Sequence, residues 1–209
     1  MLFDVTRSEL TAIFGEDRLA DLPATAFPPS VADTEGARLL RTVGVPTGTL
    51  SLRESDEDEG RLPLVQDVVD VEGVPQDAGA WPVIGWLLNA HLALDPASGK
   101  VYAFDTDEEI VRELHTDVSS LIQVTARFQR LLEEFTFDGD GDGDGDGDGD
   151  EEAAFECLER EVERIRRETS SIDPLPFRDD DTVWSVVGEE VAMGRRFSGN
   201  SPGARSLYG

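Results

Sequence analysis

The stretch Leu92-Ala93-Leu94, Asp95-Pro96-Ala97-Ser98-Gly99, Val101-Tyr102-Ala103-Phe104 constrains the fold more than any other. Two apolar runs flank a turn in which Pro96 presets a backbone dihedral and Gly99 can adopt the left-handed region, so the pattern predicts a β-hairpin. Val83, Ile84, Trp86 and Leu87 just ahead of it read as a further strand. A hairpin alone is marginal in water and needs an apolar partner. That partner is predicted after Ser119 or Ser120, either of which can cap a helix whose Val118, Leu121, Ile122, Phe128, Leu132 and Phe135 form a buried stripe over the sheet.

Helix signals bracket this β block. Thr6 and Glu9 form a capping box, Val5 can staple against Leu10, and the helix is expected to run to Phe14 and stop at Gly15. After Pro23, Pro28 and Pro29, Asp33 or Thr34 can cap a second helix through Leu39, Leu40 and Val43, ended by Gly44 with Pro46 beyond. Between them and the hairpin, the acidic run Glu54 to Glu59 reads as a solvated loop and the Val-rich run Leu62 to Val71 as a strand. Beyond the hairpin, an Asp-Gly repeat spans Asp138 to Asp150. Phe155, Leu158, Val162 and Ile165 then mark an amphipathic helix, with Cys157 on or near its stripe and Glu156/Arg160 and Glu163/Arg167 as favourable pairs. A last helix is expected over Thr182 to Met193, with Trp184, Val187 and Val191 on one side and Gly194 at its end. The organisation expected is one domain over residues 1–194, interrupted by a flexible linker at 138–152 and followed by a disordered Gly- and Ser-rich tail at 195–209. Trp81, Trp86 and Trp184 are expected to be core anchors.

Composition narrows the function. The 209 residues carry 45 Asp plus Glu against 18 Lys plus Arg, a formal charge of −27. Nucleic acid is excluded as an expected partner, because phosphate binding needs a cationic surface. No apolar run approaches a membrane span, and Met1-Leu2-Phe3-Asp4 lacks the basic and apolar regions of a secretion signal, so a soluble, cytoplasmic chain is expected; the sequence leaves its oligomeric state open, with a monomer as the expectation. A single cysteine, Cys157, and two histidines, His91 and His115, leave neither a disulfide nor a zinc cluster, and no cofactor is expected. His115, between Glu113 and Asp117, is read as an exposed surface histidine rather than a general base. With no nucleophile elbow, phosphate loop or dinucleotide fingerprint, the chain is expected not to be an enzyme.

Two acidic features remain. Asp140, Asp142, Asp144 and Glu151 match the spacing of an EF-hand calcium loop between two predicted helices, but a pure Asp-Gly repeat matches its first half in several registers, and a charge-extended linker is the preferred reading. The other feature is electrostatic: a strongly negative surface speeds capture of a basic protein and can occupy a cleft built for nucleic acid. Glu54, Asp56, Glu57, Asp58 and Glu59, with Asp105, Asp107 and Glu108, are the partner-binding candidates.

The order of these pieces resembles a known family. Thr6-Arg7-Ser8-Glu9-Leu10 through Phe14-Gly15, Leu22-Pro23 and Leu39-Leu40-Arg41-Thr42-Val43-Gly44-Val45-Pro46 resemble the N-terminal pattern of the SUKH superfamily of bacterial immunity proteins, closest to its fourth subfamily, common in actinobacteria. Leu92-Ala93-Leu94-Asp95 with Gly99-Lys100-Val101-Tyr102, Ser119-Ser120-Leu121 with Phe128, Ile172-Asp173-Pro174, Trp184 and Glu189 to Gly194 continue the likeness. The Asp-Gly repeat looks like an insertion in a loop between two helices, and the acidic stretch at 54–59 is a second departure. The resemblance implies an α+β fold, a mostly antiparallel sheet flanked by helices, without catalytic residues. It implies a partner too: a cognate toxin of a polymorphic toxin system, with nucleases and nucleic-acid deaminases among the family's targets. An endogenous protein bound by a regulatory or scaffold member of the same fold is the alternative.

Overall fold

The computed structural model describes residues 1–47, 52, 61–70, 73–137, 148–197 and 201–208. Helix α1 (Arg7–Phe14) opens on the predicted capping box: Thr6 Oγ1 accepts the Glu9 N–H at 3.3 Å and Glu9 Oε2 accepts the Thr6 N–H at 3.1 Å. Strand β1 (Leu19–Ala20) pairs antiparallel with β2 (Val45–Pro46), closing the segment that holds α2 (Glu35–Val43). Thr34, not Asp33, caps α2 by accepting the Ala37 N–H.

Of the strand expected over Leu62 to Val71, the described residues 62–70 show none. Leu64 makes one antiparallel bridge to Pro82, and the chain then turns into α3 (Val65–Val68). Asp67 causes the change: its carboxylate accepts the Leu64 N–H at 3.1 Å, and that local bond competes with a strand ladder.

The main sheet is a meander of β3 (Val83–Leu87), β4 (Ala90–Leu94), β5 (Val101–Asp105) and β6 (Ile110–His115), each strand antiparallel to its neighbour. Gly99 takes the predicted left-handed conformation at φ +79°. Gly85 is required for a different reason: a Cβ there would lie 1.8 Å from the carbonyl oxygen of Leu52, which accepts the Trp86 N–H at 3.1 Å along the free edge of β3. Strand β6 had no counterpart in the sequence reading.

Helix α4 (Val118–Glu134) lies on one face of the sheet. Its cap is Asp117 rather than Ser119 or Ser120: Asp117 Oδ1 accepts the Ser120 N–H at 3.0 Å and the Ser119 hydroxyl at 2.6 Å. Leu92, Leu94, Val101 and Leu114 of the sheet and Leu121, Ile122, Val124 and Phe128 of α4 are all buried in one core. Around α4 gather α1, α2, α5 (Asp148–Ser170) and α7 (Pro202–Tyr208), while α6 (Val183–Ala192), capped by Thr182, packs against α5. Trp184 of α6 is fully buried and stacks on Phe128 at 5.5 Å between ring centroids. Val83, Ala93 and Phe104, on the opposite face of the sheet, form a second, smaller core with Val65, Ala78 and Trp81. Trp81 and Trp184 are therefore core residues as expected, whereas Trp86 is only half-buried.

The tail expected to be disordered contains α7, whose Ala204 is buried and whose Gly203 sits against the Phe197 ring. Phe197 joins an aromatic group with Phe135, Phe137 and Phe155, the Phe137 and Phe155 rings being 5.1 Å apart. Phe137 and Phe155, which flank the Asp-Gly repeat in sequence, are thus held side by side.

Candidate partner-binding surface

The candidate acidic residues divide by what the structure describes. Glu54, Asp56, Glu57, Asp58 and Glu59 lie outside the described residues, as do Asp140, Asp142 and Asp144 of the calcium-loop pattern; Glu151 lies within α5. Leu52, just before the first run, is anchored on the free edge of β3 beside Trp86. Asp105, Asp107 and Glu108 are all placed, at the β5–β6 turn.

That turn is built by its own acids. Asp105 Oδ1 accepts the N–H groups of Asp107 and Glu108, each at 3.0 Å, which folds the chain back and leaves the side chains of Asp107, Glu108 and Glu109 in solvent. The same end of the sheet carries the β3–β4 turn, where Asn89 donates to Asp107 at 2.9 Å. A second chain segment reinforces the charge. Arg112 of β6 reaches Asp179 at 2.9 Å and Asp181 at 3.8 Å, which brings the run Asp179-Asp180-Asp181, ahead of α6, against the turn. Asp105, Glu108, Arg112 and Asp181 line one small cavity of about 40 Å³ there. Asp180 and Asp181 remain largely exposed, and the nearby cations are held by these aspartates: Arg112 by Asp179 and Asp181, Arg166 by Asp180 and Arg178 by Asp179. Sequence reasoning missed Asp179, Asp180 and Asp181 as members of this edge. Their contribution depends on an ion pair spanning 67 residues.

At two other places on the described surface the charges are paired. A cavity of about 440 Å³ between α4 and α5 holds Arg127, Arg130 and Arg164, but each faces a glutamate: Arg164 with Glu161 at 2.6 Å and Glu168 at 3.3 Å, Arg127 with Glu168 at 3.7 Å, Arg130 with Glu134 at 4.0 Å. At the far end of the sheet Lys100 pairs with Glu113 at 2.7 Å, and the Tyr102 hydroxyl, bonded to the same carboxylate, is pushed up to about 12 by burial and by that charge. Lys100 in turn holds the Glu113 carboxyl below its ordinary range.

His115 is the main correction to the sequence reading. It is fully buried at the end of β6, not exposed. The Trp184 indole N–H donates to its Nε2 at 2.7 Å, so the proton of the neutral ring sits on Nδ1, which lies 2.9 Å from Ser120 Oγ. Beyond Ser120 stands Asp173, also fully buried, whose carboxylate accepts the Thr116 N–H at 2.9 Å and the Thr116 hydroxyl at 2.8 Å. Burial pulls the His115 ring down to about 3 despite the opposing pull of Asp173 and Asp117. Hydrogen bonds from Ser120 and Thr116 hold the Asp173 carboxyl below its ordinary range against the cost of burial. This His-Ser-Asp chain is sealed from solvent, so no substrate reaches the serine; it ties β6, α4, α6 and the segment after α5 together. Among the described residues, no group of three or more His, Cys, Asp or Glu is arranged to hold a metal ion, and no helix is long and apolar enough to cross a membrane.

No curated protein and no solved structure matches this chain. One family model does, over residues 5–190, from the residue before the α1 capping box to the last turn of α6. With that match spanning the α1 cap, the hairpin meander, α4 and the Trp184 helix in a single run, the chain belongs to the SUKH-4 immunity protein family.

Proposed function

We propose that this protein neutralises a cognate toxin by forming a tight 1:1 complex that covers the toxin's active site or substrate surface. The observation that carries the reading is the family match over residues 5–190. The acidic edge formed by the β5–β6 turn and Asp179 to Asp181 supports it, because clustered carboxylates left facing solvent raise the rate of encounter with a cationic surface. The toxin is of the nuclease or nucleic-acid deaminase kind, whose substrate clefts are basic to hold phosphate. The immunity protein acts in the cytoplasm, without chemistry of its own, and Asp105, Asp107 and Glu108 lie in the contact.

The test is co-expression of the tagged protein with the polymorphic-toxin domain encoded nearest to it, read by native mass and by survival of the cells. A 1:1 complex with loss of toxicity is the expected result. Toxicity that is unchanged by the protein, with no complex, overturns the reading. Association should also slow as ionic strength rises, since exposed charges further apart than about 8–10 Å are screened at physiological salt.

A further inference from the structure

The acidic edge does not stop at the sheet. Asp180, in its middle, holds Arg166 of α5 at 3.1 Å, and Arg166 is one wall of a groove of about 200 Å³ that runs between α5 and α6. The floor of this groove is mostly apolar, made by Val162, Phe177, Gly188 and Ala192, with Trp184 and Ser185 buried beneath it and the Ser185 hydroxyl donated to the Asp179 carbonyl at 2.8 Å. Its rim carries Glu159, Glu163 and Glu189, all exposed, and its single cation is the Arg166 already engaged by Asp180. Gly188 sets the depth: a Cβ there would stand 3.2 Å from Val162 Cγ1, so the two helices close tightly at the floor.

An apolar slot under uncompensated carboxylates suits one kind of occupant. A small-molecule site usually encloses roughly 300–1,000 Å³ and offers convergent polar groups on its floor; this groove does neither. A long cationic side chain satisfies both parts of it, laying its methylene stem on the floor while its charged head meets the rim. We propose that the α5–α6 groove, continuous with the acidic edge, is where a basic partner protein inserts an arginine or lysine from one face of a helix or loop. The inference rests on the toxin reading for the identity of the partner but not for the chemistry of the groove. The sheet-end carboxylates then steer the encounter, and the groove supplies the apolar contact that sets residence time.

Two probes separate the groove from the toxin reading. The first is a synthetic amphipathic peptide carrying Arg and Leu on one helical face, titrated into the 15N-labelled full chain. Wild type and the control variant Asp4→Asn/Asp17→Asn/Asp33→Asn should show a saturable shift of the Trp184 indole N–H signal, and Glu159→Gln/Glu163→Gln/Glu189→Gln should lose it. Both variants remove three charges from exposed positions. The second probe is the neighbouring toxin domain, for which the groove variant should raise Kd at least tenfold and the control variant less than threefold. Toxin bound equally by wild type and groove variant overturns the groove while leaving immunity standing. No toxin bound by wild type, with the peptide still shifting Trp184 in a rim-dependent way, supports the groove and overturns the toxin reading. A peptide that leaves Trp184 unmoved, or moves it equally in the groove variant, overturns the groove.

Discussion

Replacing His115 with glutamine should flatten part of the pH dependence of stability. In the folded chain the ring is neutral, with a pKa near 3, whereas in the unfolded chain it titrates at its ordinary value of 6.5. Below pH 6.5 the unfolded state therefore takes up a proton that the folded state refuses, and stability falls as the pH falls, by about 1.4 kcal/mol per unit. The full contribution is present above pH 6.5, and about 2 kcal/mol of it is lost by pH 5. At that pH the folded ring still holds no proton, so the size of the loss is set by the unfolded value alone. Asp173 contributes outside this window: its folded pKa is depressed, so its share is present above the usual carboxylate value of 3.8 and is lost as pH falls through the folded pKa. Glutamine at 115 keeps an acceptor for the Trp184 N–H but does not titrate. The large negative charge also relaxes on acidification and stabilises the fold, but it does so equally in both proteins. Urea unfolding of wild type and His115→Gln at pH 7.5, 6.5, 5.75 and 5, followed by far-UV circular dichroism, should show the stability gap between them shrinking by about 2 kcal/mol, at constant m-value. A gap that holds constant within about 0.5 kcal/mol across that range refutes the buried neutral histidine.

Three smaller perturbations test the elements that position the surface. Thr6→Ala removes the hydroxyl of the α1 capping box and should cost about 1 kcal/mol, measured by the same unfolding assay. Gly85→Ala drives a methyl into the Leu52 carbonyl and should cost about 1–3 kcal/mol or displace that segment, seen as increased amide exchange at Trp86. Glu109→Gly relieves a left-handed residue at φ +56° in the β5–β6 turn and should leave stability unchanged or raise it by up to about 1 kcal/mol, while deleting one charge from the acidic edge.

Local signals were the legible ones. The Thr6/Glu9 box, the Asp95 to Gly99 turn and the stripe of α5 each rest on residues within a few positions of one another, and each stands in the structure as read. What failed was set at long range or by a competing short-range bond. Strand β6 was invisible because Arg112 and Glu113 interrupt its apolar alternation and a register shift lies where it pairs with Val101 and Tyr102; Arg112 is tolerated because Asp179 meets it. His115 was misplaced for a related reason: its sequence neighbours Glu113 and Asp117 suggested a charged surface, but its indole partner is 69 residues away. The second part of the acidic edge, Asp179 to Asp181, is tied to the turn through Arg112 of β6. Missing one strand thus hid both the buried histidine and half of the candidate surface.

The aromatic group at the mouth of the Asp-Gly repeat has an evolutionary corollary. With Phe137 and Phe155 in ring contact, the fold brings the chain together on either side of the repeat. Closure entropy grows only as the logarithm of length, so doubling such a connection costs about 0.6 kcal/mol. A dipeptide repeat is also the kind of coding sequence that lengthens and shortens by slippage, two residues and one negative charge at a time. Related chains can therefore differ widely in net charge at this point without any compensating change elsewhere in the fold.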